Sequence, residues 1–315
     1  MNGVKALLLR YPLASYFVLA FVILWGGVLL VTGGPAGIPG TKEETDRLFP
    51  LAFLAMLAGP SLAGLLAVLM TQGRAGLRQL WSRLVRWRVG LRWYAIALLT
   101  APLLTATVLL SLSLLSRDFV PGVLTATGKI GRSIVPSPVT MSTLLFGLIV
   151  GVGAGIFEEL GWTGFVIPRL RRHHGVLAAG LFLGMIWGAW HIVVNLWASG
   201  TPTREISAVF MLPVLLSTVG LGMLPAYRVL MVWVYDRTGS LLVGMLMHAS
   251  LTASLIILRP AATGMGLVIY ELAWAGTLWA VMAAIAATAR RRLSHSNHQL
   301  FGRAQGLDVL RKSHG

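Results

Sequence analysis

The chain has 315 residues, of which 56% are hydrophobic and only 11% are charged, and its formal net charge is +16. Since a soluble domain carries about 25% charged residues, this composition indicates an integral membrane protein and excludes an ordinary soluble enzyme. The absence of cysteine excludes disulfides, thiolate zinc sites and a cysteine nucleophile. The basic residues lie mainly in gaps between apolar runs and show no nucleic-acid recognition motif, so we expect no nucleic-acid partner.

Eight apolar stretches are long enough for membrane helices, which need about 20 mostly apolar residues. The first exceeds the ~7–15 apolar residues of a secretory signal, which favours a retained helix over a cleaved one. Pro225, within the sixth, predicts a kink or break. The sequence therefore predicts an all-α polytopic membrane protein with a single domain over 1–315. The stretches are 13–32, 49–71, 92–116, 140–160, 176–198, 207–236, 240–258 and 265–289.

The segment 73–92, between the second and third stretches, is both basic and apolar. Its apolar residues recur at helical spacing and would share one face: Leu77, Leu80, Trp81, Leu84 and Val85. We expect this segment to lie in the cytoplasmic membrane interface, with its arginines toward anionic lipid head groups. A solvated basic loop is the alternative, which the tryptophans disfavour.

The distribution of Lys and Arg predicts the orientation of the chain. If the N-terminus is cytoplasmic, 18 of the 26 basic residues fall on the cytoplasmic side, including the basic tail 290–315. Arg228 lies inside the sixth stretch, and seven residues remain on the other side: Lys42, Arg47, Arg117, Lys129, Arg132, Arg204 and Arg259. This asymmetry predicts eight spans in the plasma membrane with both termini in the cytoplasm.

Five further ionisable side chains lie within the predicted spans, where such groups are costly and usually face a bundle interior or a cavity. They are Glu158, Glu159, His191, His248 and Glu271. Simpler interpretations remain open for each of them. The adjacent glutamates would fit a helix end at the interface, each histidine would fit a hydrogen-bonded core position, and the last glutamate is interpreted as interfacial.

Three of these residues, Glu158, His191 and His248, lie on separate spans in the second half of the chain. We expect them to converge on one cavity in the cytoplasmic half of the bundle. Two imidazoles and a carboxylate can hold a divalent metal, zinc above all, or can activate water directly. Both alternatives stay open. Thr252 follows His248 by one helical turn, where its hydroxyl would support an oxyanion.

Three short motifs then resemble a known family. They are EELGWT at 158–163, WGAWH at 187–191 and HASLT at 248–252. The pattern resembles the CPBP intramembrane proteases, also called the Abi or type II CAAX prenyl protease family, with motifs EExxxR, FxxxH and HxxxN. The resemblance covers about 55–260.

The resemblance implies roles for the motif residues. Glu158 and His191 would activate a water, Glu159 would belong to the same catalytic set, and His248 would stabilise the oxyanion or bind a metal. Two positions depart from the family pattern, since Thr163 replaces its arginine and Thr252 replaces its asparagine. We therefore expect the ion pair that orients the two glutamates to be missing.

The predicted function is an intramembrane endopeptidase that acts on a membrane-embedded or lipidated protein or peptide. The alternative is a catalytically silent relative that acts as a membrane binding or immunity-type factor. A transporter that uses the same residues as a proton relay is less favoured, because no internal repeat is visible.

Overall fold

The computed structural model describes residues 9–125, 127–130, 133–136, 138–198 and 222–284. Its helices are α1 (Pro12–Thr32), α2 (Lys42–Leu84), α3 (Leu91–Ser113), α4 (Gly122–Thr125), α5 (Pro138–Gly161), α6 (Ile167–Leu170), α7 (Val176–Trp190), α8 (Ile192–Ala198), α9 (Leu224–Thr238), α10 (Leu241–Ile257) and α11 (Gly264–Ala284). Short 3₁₀ turns cover Pro35–Gly37 and Arg117–Phe119. A small antiparallel hairpin pairs β1 (Thr127–Ile130) with β2 (Ser133–Pro136). The helical polytopic fold that the sequence predicts is confirmed.

Five helical segments of the described residues are long and apolar enough to cross a membrane: α1, α2, α3, α11 and Met141–Leu170, which joins α5 to α6. The pair α7 and α8, bent by 41°, would make a sixth, and α10 is apolar but shorter, with 17 residues. Residues 207–221 of the predicted sixth span lie outside the described residues. Pro225 stands in the first turn of α9, where its missing N–H breaks no helical hydrogen bond. The number of eight spans stays a prediction.

Helix α2 begins with a capping box and breaks at a single glycine. The hydroxyl of Thr41 accepts from the Glu44 amide, and the Glu44 carboxylate accepts from the Thr41 amide. Gly73 has φ +61°, a conformation that L side chains rarely adopt, and it interrupts the helix where the basic segment begins. Beyond it, Leu80 packs against protein, while Trp81 is 63% exposed. The apolar face that the spacing predicts is therefore shared between the protein and its surroundings.

Two glycines allow the helices that carry the site to approach closely. A Cβ on Gly155 would overlap the Met245 carbonyl oxygen, so α5 and α10 are in backbone contact. A Cβ on Gly184 would overlap the Cα of Pro225, so α7 and α9 are also in backbone contact. These two contacts bring the Glu158–Glu159 pair and the motif-bearing parts of α7 and α10 together.

The bundle has two ends of different charge. At one, Arg83 donates to the Tyr235 hydroxyl, Ser240 donates to the Arg86 carbonyl oxygen, and Arg171 pairs with Asp236. We name this the arginine-rich end. Its described basic residues are Arg10, Arg74, Arg78, Arg83, Arg86, Arg88, Arg92, Arg169, Arg171, Arg172 and Arg237, and its only described acidic residue is Asp236.

At the opposite end, the Gly40 amide donates to the Trp197 carbonyl and the Gly122 amide donates to the Arg259 carbonyl. We name it the arginine-poor end. Among the residues whose side chains the structure describes, those that are basic at this end are Lys42, Arg47, Arg117 and Arg259, and those that are acidic are Glu43, Glu44, Asp46, Asp118 and Glu271. The described charges at this end therefore nearly cancel.

Candidate active site

Glu158 lies near the C-terminal end of α5 with its side chain 1% exposed. Its Oε2 accepts from the indole Nε1 of Trp187 at 3.0 Å and from that of Trp162 at 3.4 Å. Trp162 follows it by one helical turn, at the start of a π-helical turn, Trp162–Val166, that continues α5. These bonds to Oε2 hold the carboxylate and leave Oε1 for a water or a substrate.

Glu159 is fully buried and holds an ion pair that the sequence analysis did not foresee. Both of its oxygens lie 2.9 Å from Nη1 of Arg228 on α9, and Oε2 also accepts from the Thr163 hydroxyl. The expectation that the orienting ion pair is missing is therefore wrong. Arg228 supplies the guanidinium from another helix, and Thr163, in place of the family arginine, adds a neutral hydrogen bond.

Arg228 is the functional residue that the sequence reasoning missed. It is fully buried, and its guanidinium carbon lies 4.0 Å from the ring centroid of Trp187. The described residues supply no hydrogen-bond partner for its Nε and Nη2. A sequence signal was present, since this was the one basic residue that the charge count left inside a predicted span, where an arginine requires a partner.

His248 connects the two glutamates. Its Nδ1 lies 2.8 Å from Oε1 of Glu159, and its Nε2 lies 3.9 Å from Oε2 of Glu158. Because the carboxylate of Glu159 already accepts from Arg228, the Nδ1 nitrogen must carry the proton of this hydrogen bond. The Nε2 nitrogen then faces Glu158 across a gap that is too long for a direct hydrogen bond and suits a shared water.

His191 follows the last residue of α7 and is half-buried between two indoles, with ring centroids 5.7 Å from Trp187 and 4.8 Å from Trp190. Its Nδ1 lies 2.8 Å from the Trp187 carbonyl oxygen. A carbonyl can only accept, so Nδ1 donates and Nε2 is the basic nitrogen of the neutral ring. The backbone thus fixes the tautomer that a general base requires.

A cavity of about 820 Å³ collects the predicted residues. Its wall includes Glu158, His191 and His248, and also Thr252 and Asn195. The predicted convergence on one cavity is therefore what the structure shows. The cavity extends from these residues toward the arginine-poor end, where Lys42, Arg259 and Glu271 line it. The location of the three residues in the cytoplasmic half of the bundle stays a prediction.

Glu159 does not line this cavity, unlike its neighbour Glu158. Its three partners, Arg228, Thr163 and His248, enclose it within the protein. It therefore belongs with the residues that position His248 rather than with those that reach a substrate.

The predicted metal ligands do not form a metal-binding group. Among the described residues, no three His, Asp or Glu side chains come close enough together to hold an ion. Each histidine uses its Nδ1 nitrogen for a hydrogen bond to a carbonyl or carboxylate oxygen and keeps its Nε2 nitrogen free, an arrangement that metal-binding histidines also show. Because the described side chains form no such group as placed, we derive no step through a metal ion. The expectation of zinc stays a prediction.

Comparison with known proteins agrees with the motifs. Residues 140–254 match the family described as type II CAAX prenyl endopeptidase Rce1-like. The chain is also 25% identical over 187 residues to CAAX prenyl protease 2 of Methanococcus maripaludis, an alignment that covers 58% of this chain. The chain spans 62% of the length of that relative. The predicted resemblance to the CPBP family is confirmed, and the match supports a CAAX-type intramembrane protease.

Proposed function

We propose that this chain is an intramembrane endopeptidase whose general base is Glu158, a proposal supported by the match of residues 140–254 to the type II CAAX prenyl endopeptidase family. Its substrate is a membrane-embedded or lipidated protein or peptide. The observation that carries this proposal is the position of Glu158, in the wall of the cavity and 3.9 Å from the Nε2 nitrogen of an oriented histidine.

Glu158 acts first on the water. Its carboxylate takes one proton as the hydroxide adds to the carbonyl carbon of the scissile bond, and it returns that proton to the leaving amine as the bond breaks. The two indole donors from Trp187 and Trp162 hold the carboxylate in place before the substrate arrives. Such preorganisation lowers the cost of aligning base, water and carbonyl.

In this scheme His191 and His248 have different roles: His191 acts on the attacking water, and His248 acts on the oxyanion. His191, with Nε2 as its basic nitrogen, shares the activation of the water with Glu158. His248, when protonated on Nε2, donates to the oxyanion that develops on the carbonyl oxygen, and the hydroxyl of Thr252 is the second donor. Thr252 is shorter than the asparagine of the family pattern but lines the same cavity.

Glu159 and Arg228 are positioning residues. The carboxylate of Glu159 holds the Nδ1 proton of His248, and Arg228 balances the negative charge of Glu159. A protonated His248 is then stabilised by an adjacent carboxylate that is itself fixed. This ion pair also weakens the alternative of a silent relative, because that alternative rested partly on the loss of the family arginine.

The decisive experiment compares Glu158→Gln with wild type on a library of membrane peptides, using purified protein in lipid. Gln keeps the size of the side chain but cannot take a proton, so cleavage should fall by about 10²–10⁴-fold. Glu43→Gln, an exposed position outside the cavity, is the matched control and should cleave like wild type. Melting temperatures establish that all three proteins are folded.

A chelator arm of the same assay tests the metal. Since the described donors do not form a metal-binding group, activity should persist after chelation. Loss on chelation with recovery on added zinc would restore the metal hypothesis. Equal cleavage by wild type and Glu158→Gln would reject the catalytic assignment, and a wild type that cleaves no peptide in any lipid would favour a silent relative.

A further inference from the structure

The cavity extends from the three motif residues toward the arginine-poor end. On α10, the lining begins at His248 and continues through Leu251 and Leu255 to Arg259, just after the helix. No residue of α10 before His248 belongs to it, although that half of the helix begins beside Arg86 at the arginine-rich end.

The other helices repeat this pattern. On α2, which starts at the arginine-poor end, the lining runs from Lys42 to Met56 and then stops. On α5, which also starts there, it ends at Glu158. On α7 and α8, which run the opposite way, it starts at Trp187 and ends at Ala198. Steps of three or four residues along each helix show that one face of each forms the wall.

Packed side chains close the path toward the arginine-rich end. Trp162 and Phe165, which follow the glutamates, are fully buried. Leu80 of the basic segment packs against Leu241 and Met245 of α10 on the same side. The described part of the chain therefore opens a route to Glu158 from one end only.

The positive-inside rule assigns a side to that route. Basic residues concentrate at the cytoplasmic ends of membrane helices, and the arginine-rich end carries eleven described basic residues against Asp236. The route instead reaches the end where Lys42, Asp46, Arg259 and Glu271 bring charges of both signs. Water and substrate would therefore enter from the extracytoplasmic side.

We infer that this chain cleaves a membrane-anchored protein or peptide whose scissile bond is presented at the extracytoplasmic face of the membrane. This inference rests on the proposed function and narrows its substrate class. It disfavours a cytoplasmic lipidated C-terminus, which would meet the closed end of the bundle.

The side chains in the wall of the cavity indicate which kind of substrate segment lies next to the scissile bond. Phe49, Phe53 and Phe146 stand between the mouth and Glu158, and Phe146 is 45% exposed. An apolar segment next to the scissile bond would pack on these rings, while the mixed charges of the mouth would contact its polar flank. The expected substrate is the extracytoplasmic end of an apolar membrane segment.

Cysteine labelling tests the side of the mouth without requiring activity. The chain has no cysteine, so single substitutions report without background. Lys42→Cys and Asp46→Cys mark the mouth, and Arg78→Cys, also exposed, marks the arginine-rich end. In intact cells, a membrane-impermeant maleimide should label the two mouth variants, and should label Arg78→Cys only after permeabilisation. The opposite pattern would overturn the inference whether or not the protein is an enzyme.

A cleavage arm tests the substrate. A peptide that the purified protein cleaves is fused into two single-span proteins that present the same bond on opposite sides of the membrane. Only the protein with the extracytoplasmic bond should be cut, and the cut should disappear in Glu158→Gln. Cutting of only the cytoplasmic version would overturn the inference but keep the proposed function. If no peptide is cleaved, the proposed function fails and this substrate class fails with it, while the labelling still reports the side of the mouth.

Discussion

The buried charges of the site are balanced by residues from three helices. Arg228 of α9 lies 2.9 Å from both oxygens of Glu159, which also holds His248 of α10. Thr163 stands where the family pattern has arginine, and it donates to the same carboxylate. In this chain, therefore, the guanidinium that pairs with Glu159 comes from another helix. An ion pair of this kind depends on both members, because a lone buried charge is costly.

Moving the arginine from position 228 to position 163 tests whether either position can supply the guanidinium that pairs with Glu159. Arg228→Leu leaves the Glu159 carboxylate without its guanidinium, and we expect a loss of about 3–5 kcal/mol of stability and most of the activity. Thr163→Arg alone adds a second buried cation and should also be harmful. Combined in one chain, the two changes should recover much of both properties, measured as melting temperature and cleavage rate. Arg237→Leu, an exposed residue of the same helix, is the control and should change little.

A combined variant no better than Arg228→Leu would show that an arginine at 163 cannot reach Glu159 in this chain. Positions 163 and 228 would then not be interchangeable as sources of the guanidinium.

At the scale of elements, the site depends on how closely its helices approach. Gly155 and Gly184 remove the side chains that would separate α5 from α10 and α7 from α9. Arg228 follows Pro225 by one turn, so the distance between α7 and α9 decides whether its guanidinium can reach Glu159 and rest on Trp187. Gly155 and Gly184 therefore help to set the geometry of the site, although neither has a side chain that could take part in a reaction.

The change Gly184→Ala should reduce cleavage more than it reduces stability. Its methyl group would overlap the Cα of Pro225 and move α9 outward, so Arg228 would lose contact with Glu159. We expect the cleavage rate to fall at least tenfold. A displacement of catalytic groups by about 1 Å can lower a rate by about 10²-fold. Cleavage rate and melting temperature are measured together.

Gly276→Ala on α11 is the matched control, since a Cβ there meets nothing within 4 Å. It should cleave at the wild-type rate. If Gly184→Ala also cleaves at that rate, the close approach of α7 and α9 does not control the site.

At the scale of the whole molecule, charge and cavity are arranged along one axis. Arginines collect at one end with the exposed Trp81 and Trp87, which suits an interface with anionic lipid head groups. The cavity leads to the other end, where Lys42 and Arg259 stand among acidic residues. The positive-inside rule predicts that the arginine-rich end faces the cytoplasm, and in that orientation the mouth of the cavity would face outside.

Reporter fusions test this orientation independently of labelling. A reporter at Gly315 should be active only if it functions in the cytoplasm, because the count of basic residues predicts a cytoplasmic C-terminus. A fusion truncated after Ser116, at the arginine-poor end of α3, should show the opposite activity. Identical activity of both fusions would mean that the number of spans between these positions is even, and would reject the predicted topology.

The sequence by itself determined the class of the protein, the approximate helices and the motif residues. These features are local, because every span must satisfy its own backbone in lipid and each motif fits within one or two helical turns. It therefore predicted that Glu158, His191 and His248 share a cavity. Only the tertiary structure decided that Arg228, 69 residues beyond Glu159, completes the ion pair, and which end the cavity reaches. Those outcomes depend on how helices rotate and approach one another, which is set by contacts between distant segments and leaves no periodic trace in any single helix.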